Sequence, residues 1–171
     1  LGGSEALAQN VGRVEDKHHG RMVNRPHDLG QERPGLPNQI GLDFESEGRN
    51  KIVTSALDFP SMQYIWEAQE RAGATIEIVH SDDGIALETD ALIDAIDDTT
   101  CFVALSHVSF RSSFRVEVEA IVERAHQQGA LVLLDVYQSA GAMELKATEW
   151  NVDFMIGGTI KWLCGGPACG Y

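Results

Sequence analysis

Four aliphatic runs in this sequence are each followed at once by residues able to hold or act on a small molecule. Phe59 and Ser61 follow KIVTSA, Ser106 and His107 follow CFVAL, Asp135 and Gln138 follow LVLL, and Thr159 and Lys161 follow VDFMI and its glycine pair. If those runs are parallel strands, all eight residues emerge at carboxyl ends, where loops converge on a crevice lined by helix N-termini. One crevice can then collect them. Asp135 is the most constrained of the set, because a carboxylate ending an apolar run is costly to bury unless something cationic meets it. Taken alone, Asp135 also reads as a turn residue leaving a strand, and Lys161, in a glycine-rich turn, as a surface lysine. Only their combination points to a site.

For these residues to meet, the chain must supply parallel strands joined by helices, and from Lys51 onward it alternates in that way. Short β-branched or aliphatic runs are separated by amphipathic stretches, the signature of βαβ units. The expected fold class is α/β, a mostly parallel sheet with flanking helices. Strands are expected at Lys51–Ala56, Thr75–His80, Cys101–Leu105, Leu131–Leu134 and Val152–Ile156. A helix is expected over Ser61–Ala72, capped by Ser61, with Met62, Ile65, Trp66 and Gln69 at helical spacing and Gly73 as its stop. Thr89 opens a short helix carrying Leu92, Ile93 and Ile96 on one face. The strongest helix is Val116–Gln128, with Val118, Ile121, Val122 and Ala125 inward and Gly129 as its end.

Residues 1–50 form an irregular N-terminal segment in this reading, and residues 51–171 the globular unit. Gly12–Gln39 carries His18, His19 and His27, scattered arginines and several prolines without a sustained apolar period, so irregular or disordered chain is expected there. No helix or hairpin fixes the three histidines, so a solvated loop is favoured over a metal site.

At 171 residues and 43% hydrophobic, the chain can bury one sizeable core. Its 26 acidic against 13 basic side chains give a net charge of -13, which repels nucleic-acid backbones. Cys101, Cys164 and Cys169 form neither an even disulfide framework nor a tetrahedral zinc set, which fits a reducing, cytoplasmic compartment. Apolar stretches fall short of the ~20 residues of a membrane helix, and no targeting signal is visible. Both ends read as cuts, so the chain is expected to be a fragment. No strand is followed by Gly-x-Gly-x-x-Gly or a phosphate-binding P-loop, which argues against a nicotinamide or nucleotide site.

A more specific pattern lies in the ordered motifs Leu57-Asp58-Phe59-Pro60-Ser61, Ser106-His107-Val108-Ser109-Phe110, Ala125-His126 with Gly129-Ala130, and Asp135-Val-Tyr-Gln138-Ser-Ala-Gly141. They continue with Val152-Asp153-Phe154, Gly157-Gly158-Thr159-Ile160-Lys161-Trp162 and Gly165-Gly166-Pro167. From about Ile52 to Tyr171 the chain resembles the class V aminotransferase family, whose architecture is fold type I and whose cofactor is pyridoxal 5'-phosphate (PLP).

The resemblance implies that Lys161 is the Schiff-base lysine and, once released by substrate, moves the Cα proton. It implies that Asp135 keeps the pyridine nitrogen protonated, that Gln138 bonds the ring-oxygen side of the cofactor, and that Thr159 reaches its phosphate. Phe59 stands where the kynureninase branch stacks an aromatic ring on PLP and cysteine desulfurases stack a histidine; an ordinary core phenylalanine is the other reading. Ser106 and His107 are expected at the ring edge or as turn formers, and His126 as a helix-end residue meeting the last carbonyls.

The pattern is also departed from. The Ser/Thr-rich turn that would hold the phosphate ahead of the first strand is replaced by Gly12–Gln39, with Ser4-Glu5-Ala6-Leu7 only faintly similar. Cys169 replaces a common glycine, and the small domain that would bind the substrate carboxylate is expected to lie outside the sequence. The expected function is therefore a PLP enzyme acting on an amino acid, of aminotransferase, lyase or kynureninase-like hydrolase type, as a cytoplasmic homodimer without nucleic-acid, membrane or metal partners. The alternative is a truncated, non-catalytic fragment that does not bind PLP.

Overall fold

The structure, a computed structural model, describes residues 42, 44 and 48–171. Five strands form, each from one of the anticipated apolar runs: β1 Lys51–Ser55, β2 Thr75–Val79, β3 Thr100–Ser106, β4 Leu131–Asp135 and β5 Phe154–Ile156. Their order across the sheet is β2-β1-β3-β4-β5, and every pairing is parallel. The α/β expectation holds. Strands β1, β3 and β4 are buried almost throughout, which explains why CFVAL of β3 and LVLL of β4 run apolar without alternation. At the edge, Thr75 and Glu77 of β2 face solvent between less exposed neighbours.

The connections are α1 Pro60–Glu67, α2 Thr89–Ala95, α3 Val118–Gln127 and a single turn, α4 Ala147–Trp150. Ser61 does not cap α1. The helix begins at Pro60, whose missing N–H and fixed φ suit the first helical position, and the N-cap position falls on Phe59, which has no capping side chain. Met62 and Trp66 are buried as expected, whereas Ile65 faces outward. After Glu67 the chain tightens into a 3-10 segment, Ala68–Ala72, and stops at Gly73 in a left-handed conformation, φ 95°. The irregular stretch anticipated over Gly12–Gln39 lies outside the described residues.

Apolar layers cover both sheet faces. On one, Val53, Val103 and Leu134 pack with Leu92, Ile121 and Val122; on the other, Ile52, Phe102 and Leu133 pack with Met62 and Trp66. The four inward residues expected of α3 are all buried. Each large side chain fully buried in this way contributes about 1.5–3 kcal/mol.

The amino ends of the strands are tied by polar contacts. The Arg49 guanidinium donates to the carbonyls of Thr100, Gln128 and Gly129, capping the end of α3. Lys51 meets Asp97 at 2.7 Å. His126 does not engage the last helical carbonyls; its Nε2 lies 2.9 Å from Asp153 Oδ2, which also accepts the Val132 N–H at 2.8 Å. This end is therefore structural, and the opposite end is where the chemistry-bearing residues emerge.

Candidate active site

Strand order makes β1 and β3 the point where successive connections leave in opposite directions, the place where open parallel sheets bind ligands. Registered pairing of β1 with β3 runs only to Val53–Val103, while β1 pairs β2 as far as Ser55–Val79 and β3 pairs β4 as far as Ser106–Asp135. The sheet thus opens between β1 and β3 at its carboxyl edge. Asp58 spans the opening. It is 4% exposed, and its Oδ2 accepts the Thr54 hydroxyl and the Ser55 N–H, each at 2.9 Å, while Oδ1 accepts the Ser106 N–H at 2.7 Å. Burial pushes its carboxyl above the usual range, opposed by those N–H and hydroxyl donors.

Phe59, the next residue, is 45% exposed and meets Phe110 edge to face with ring centroids 5.0 Å apart. Its ring stands at the rim of the crevice, outside the apolar core.

Asp135 ends β4 beside Ser106 and is 9% exposed. Its Oδ1 accepts the Tyr137 N–H at 2.8 Å, and no other donor from the described residues reaches the carboxylate. Burial raises its pKa above the ordinary carboxylate value; the Tyr137 N–H opposes this, the Asp58 charge adds to it, and the Lys161 charge opposes it. A largely buried carboxylate with one hydrogen bond favours a cationic partner at its free oxygen.

Lys161 lies on a glycine-rich excursion after β5. Gly157 and Tyr171 exchange backbone hydrogen bonds of 2.9 and 3.1 Å, and Thr159 N–H donates to Cys169 O at 3.1 Å, closing the loop at its base. The Lys161 ammonium sits 5.0 Å from the centre of the Tyr137 ring. Gly158 leaves room for that ring: a Cβ there would come within 2.4 Å of its Cε2, so the ring would have to shift.

The remaining anticipated residues divide. Ser106 stands in the crevice, bonded to Asp58. Gln138 is half-buried and makes no side-chain hydrogen bond among the described residues. The Thr159 hydroxyl is turned into its own loop, donating to Gly166 O at 3.2 Å. Ser61 is exposed. His107 is not at the crevice: it is 2% exposed, with Nδ1 2.9 Å from Ser139 Oγ and its ring edge to face with Trp150. Successive residues at a strand end point to opposite faces, so Ser106 and His107 part company.

The profile of the aminotransferase class-V family matches residues 38–168. The chain belongs to the class V aminotransferase family. Among curated relatives, it is similar to the uncharacterized aminotransferase YcbU of Bacillus subtilis (strain 168), at 32% identity over 132 residues, covering 77% of this chain and 35% of that protein. It is similar also to kynureninase of Pseudomonas fluorescens, at 34% identity over 125 residues, covering 71% of this chain and 28% of that protein. Among solved structures, the apo cysteine desulfurase of Thermococcus onnurineus NA1 superposes with a TM-score of 0.64 at 28% identity, covering 71% of this chain and 30% of that one. The chain spans about a third of the length of the curated relatives it matches.

The five-stranded sheet is thus part of the fold type I architecture of class V enzymes, and the family implies PLP as cofactor. The described residues suit that cofactor: Asp135 offers a buried carboxylate oxygen without a protein donor, and the Lys161 charge acts on that carboxylate. Asp58 and Tyr137 went without a role in the sequence reading. Asp58 was visible inside the Leu57–Ser61 motif, but an aspartate beside Phe-Pro reads as a turn former until its Ser106 partner is seen.

Proposed function

We propose that the protein containing this chain is a PLP-dependent enzyme that acts on an amino acid, with Lys161 as the residue that carries the cofactor covalently. The supporting observation is the Asp135 carboxylate, largely buried and met by a single N–H, with the Lys161 charge acting on it from the neighbouring loop. When bound, PLP supplies a conjugated ring that accepts the electron pair released at the substrate Cα.

The chain's own residues have distinct tasks in this reading. Asp135 holds the proton at the ring nitrogen, and Phe59 offers its exposed ring as a stacking surface. Lys161 takes the Cα proton and returns it, since an amine freed by substrate is a competent general base. Ser106 and Gln138 line the same edge with hydrogen-bonding groups. The Thr159 hydroxyl reaches a phosphate only by releasing Gly166 O. An intact protein of this kind is proposed to be a cytoplasmic homodimer. Among the described residues, no helix is long and apolar enough to cross a membrane.

Within the family, the exposed Phe59 ring favours a kynureninase-like or aminotransferase member over a cysteine desulfurase, which stacks a histidine at that station. The test is a PLP titration followed by visible absorbance, comparing the parent with Lys161→Ala and Asp135→Ala. A visible band in the parent that is absent from Lys161→Ala supports the reading. No band at saturating PLP in the parent overturns it and identifies a non-binding fragment.

A further inference from the structure

We infer that Asp58 is a positioning residue for this site, its carboxylate spanning the opening between β1 and β3 so that the Phe59 ring is held in fixed relation to Ser106 and Asp135. The inference rests on the PLP reading above and deepens it. A turn residue that only finishes β1 would bond within its own strand, as Asp58 does to Thr54 and Ser55. The third bond, from the Ser106 N–H, crosses to β3 beyond the last registered β1–β3 pair, Val53–Val103. It is also the shortest of the three, at 2.7 Å.

Ser106 is in turn the register partner of Asp135. A continuous path of fixed geometry therefore runs from Phe59 through the Asp58 carboxylate and the Ser106 backbone to Asp135. Rotating or removing that carboxylate lets the two strand ends drift apart, which changes the gap between the Phe59 ring and the Asp135 oxygen. A cofactor contacted by both groups would sense that gap directly.

Charge gives a second route. Asp135 is faced by Asp58 from the turn after β1 and by Lys161 and Tyr171 from the segment after β5, with the Tyr137 N–H from the turn that follows β4. The end of β3 adds Ser106, while its His107 imidazole is turned away to Ser139. Asp58 is thus the only carboxylate among these groups acting on Asp135, and it strengthens the preference there for a positively charged partner. A neutral side chain at 58 would leave the shared proton between Asp135 and a pyridine nitrogen less tightly held.

The experiment is equilibrium binding of PLP, measured across pH for the parent, Asp58→Asn and Asp58→Glu, with far-UV circular dichroism and thermal midpoints as folding controls. The expected result is about tenfold or greater weakening in Asp58→Asn, the loss associated with a hydrogen bond to a charged group. Its alkaline limb should move to lower pH, whereas Asp58→Glu, which keeps the charge, should retain the parent's limb. If Asp58→Asn does not fold, Thr54→Val removes one donor to the carboxylate and should weaken binding about threefold.

Unchanged affinity in a folded Asp58→Asn or in Thr54→Val overturns the inference. So does weakening of Asp58→Asn by the same factor at every pH, which a merely structural turn would produce. A parent that binds no PLP overturns the functional reading itself and this inference with it, whereas a binding parent with indifferent variants overturns the inference alone.

Discussion

The Lys161 ammonium sits 5.0 Å from the centre of the Tyr137 ring, and the N–H of the same tyrosine is the donor that holds Asp135. Tyr137 therefore fixes both ends of the proposed site, one with its backbone and one with its side chain. Replacing the ring by leucine leaves the backbone donor in place and removes the cation–π contact, worth about 0.5–1 kcal/mol at an exposed site. Tyr137→Leu should therefore weaken PLP binding roughly two- to fivefold in a fluorescence titration. Gly158→Ala, whose Cβ would strike the ring, should have an effect in the same direction.

Asp135 separates stability from binding. Its carboxylate is buried at a cost and receives one hydrogen bond, so Asp135→Ala should leave the thermal midpoint unchanged or raise it. Loss of one partner of a buried ion pair costs about 3–5 kcal/mol, so PLP affinity should fall by more than about a hundredfold. Thermal shift without and with PLP measures both in one experiment.

The framework was legible because burial on both faces leaves an unmistakable trace. Strands β3 and β4 carry the unbroken apolar runs CFVAL and LVLL, and α3 showed its inward stripe residue by residue. The start of α1 was missed because Ser61 looks like a cap, yet Pro60 beside it fixes φ for the first helical position. The single turn α4 is too short to display a period. At the site, residue type pointed to Asp135 and Lys161, but the direction of His107 depends on strand parity, and the bond from Ser106 to Asp58 depends on where two distant strands part.

His107 gives the fold a pH dependence. Burial, with the Arg115 charge adding to it, pushes its imidazole below the ordinary histidine value, and Glu119 opposes this. The neutral ring binds fewer protons in the folded chain than in the unfolded one between the folded value and about pH 6.5. Its stabilising contribution is therefore complete above about pH 6.5 and is lost as the pH falls through the folded value. Urea midpoints for the parent should drop between pH 7 and pH 5 more steeply than those of His107→Gln, which does not titrate.

Ser113 adopts a left-handed conformation, φ 60°, in the turn that brings Val108 opposite Arg115. A side chain in that region costs about 1–2 kcal/mol, part of which glycine recovers at the expense of greater freedom in the unfolded chain. Ser113→Gly should raise stability by about 0.5–1 kcal/mol in urea denaturation, without changing PLP affinity.

The site of covalent attachment tests most directly whether Lys161 carries the cofactor. The protein is incubated with PLP, reduced with borohydride, digested and mapped by mass spectrometry. One dominant phosphopyridoxyl adduct is expected, on the peptide carrying Lys161, with none formed on that peptide in Lys161→Ala. Adducts spread over other lysines, or no adduct on Lys161, would contradict it.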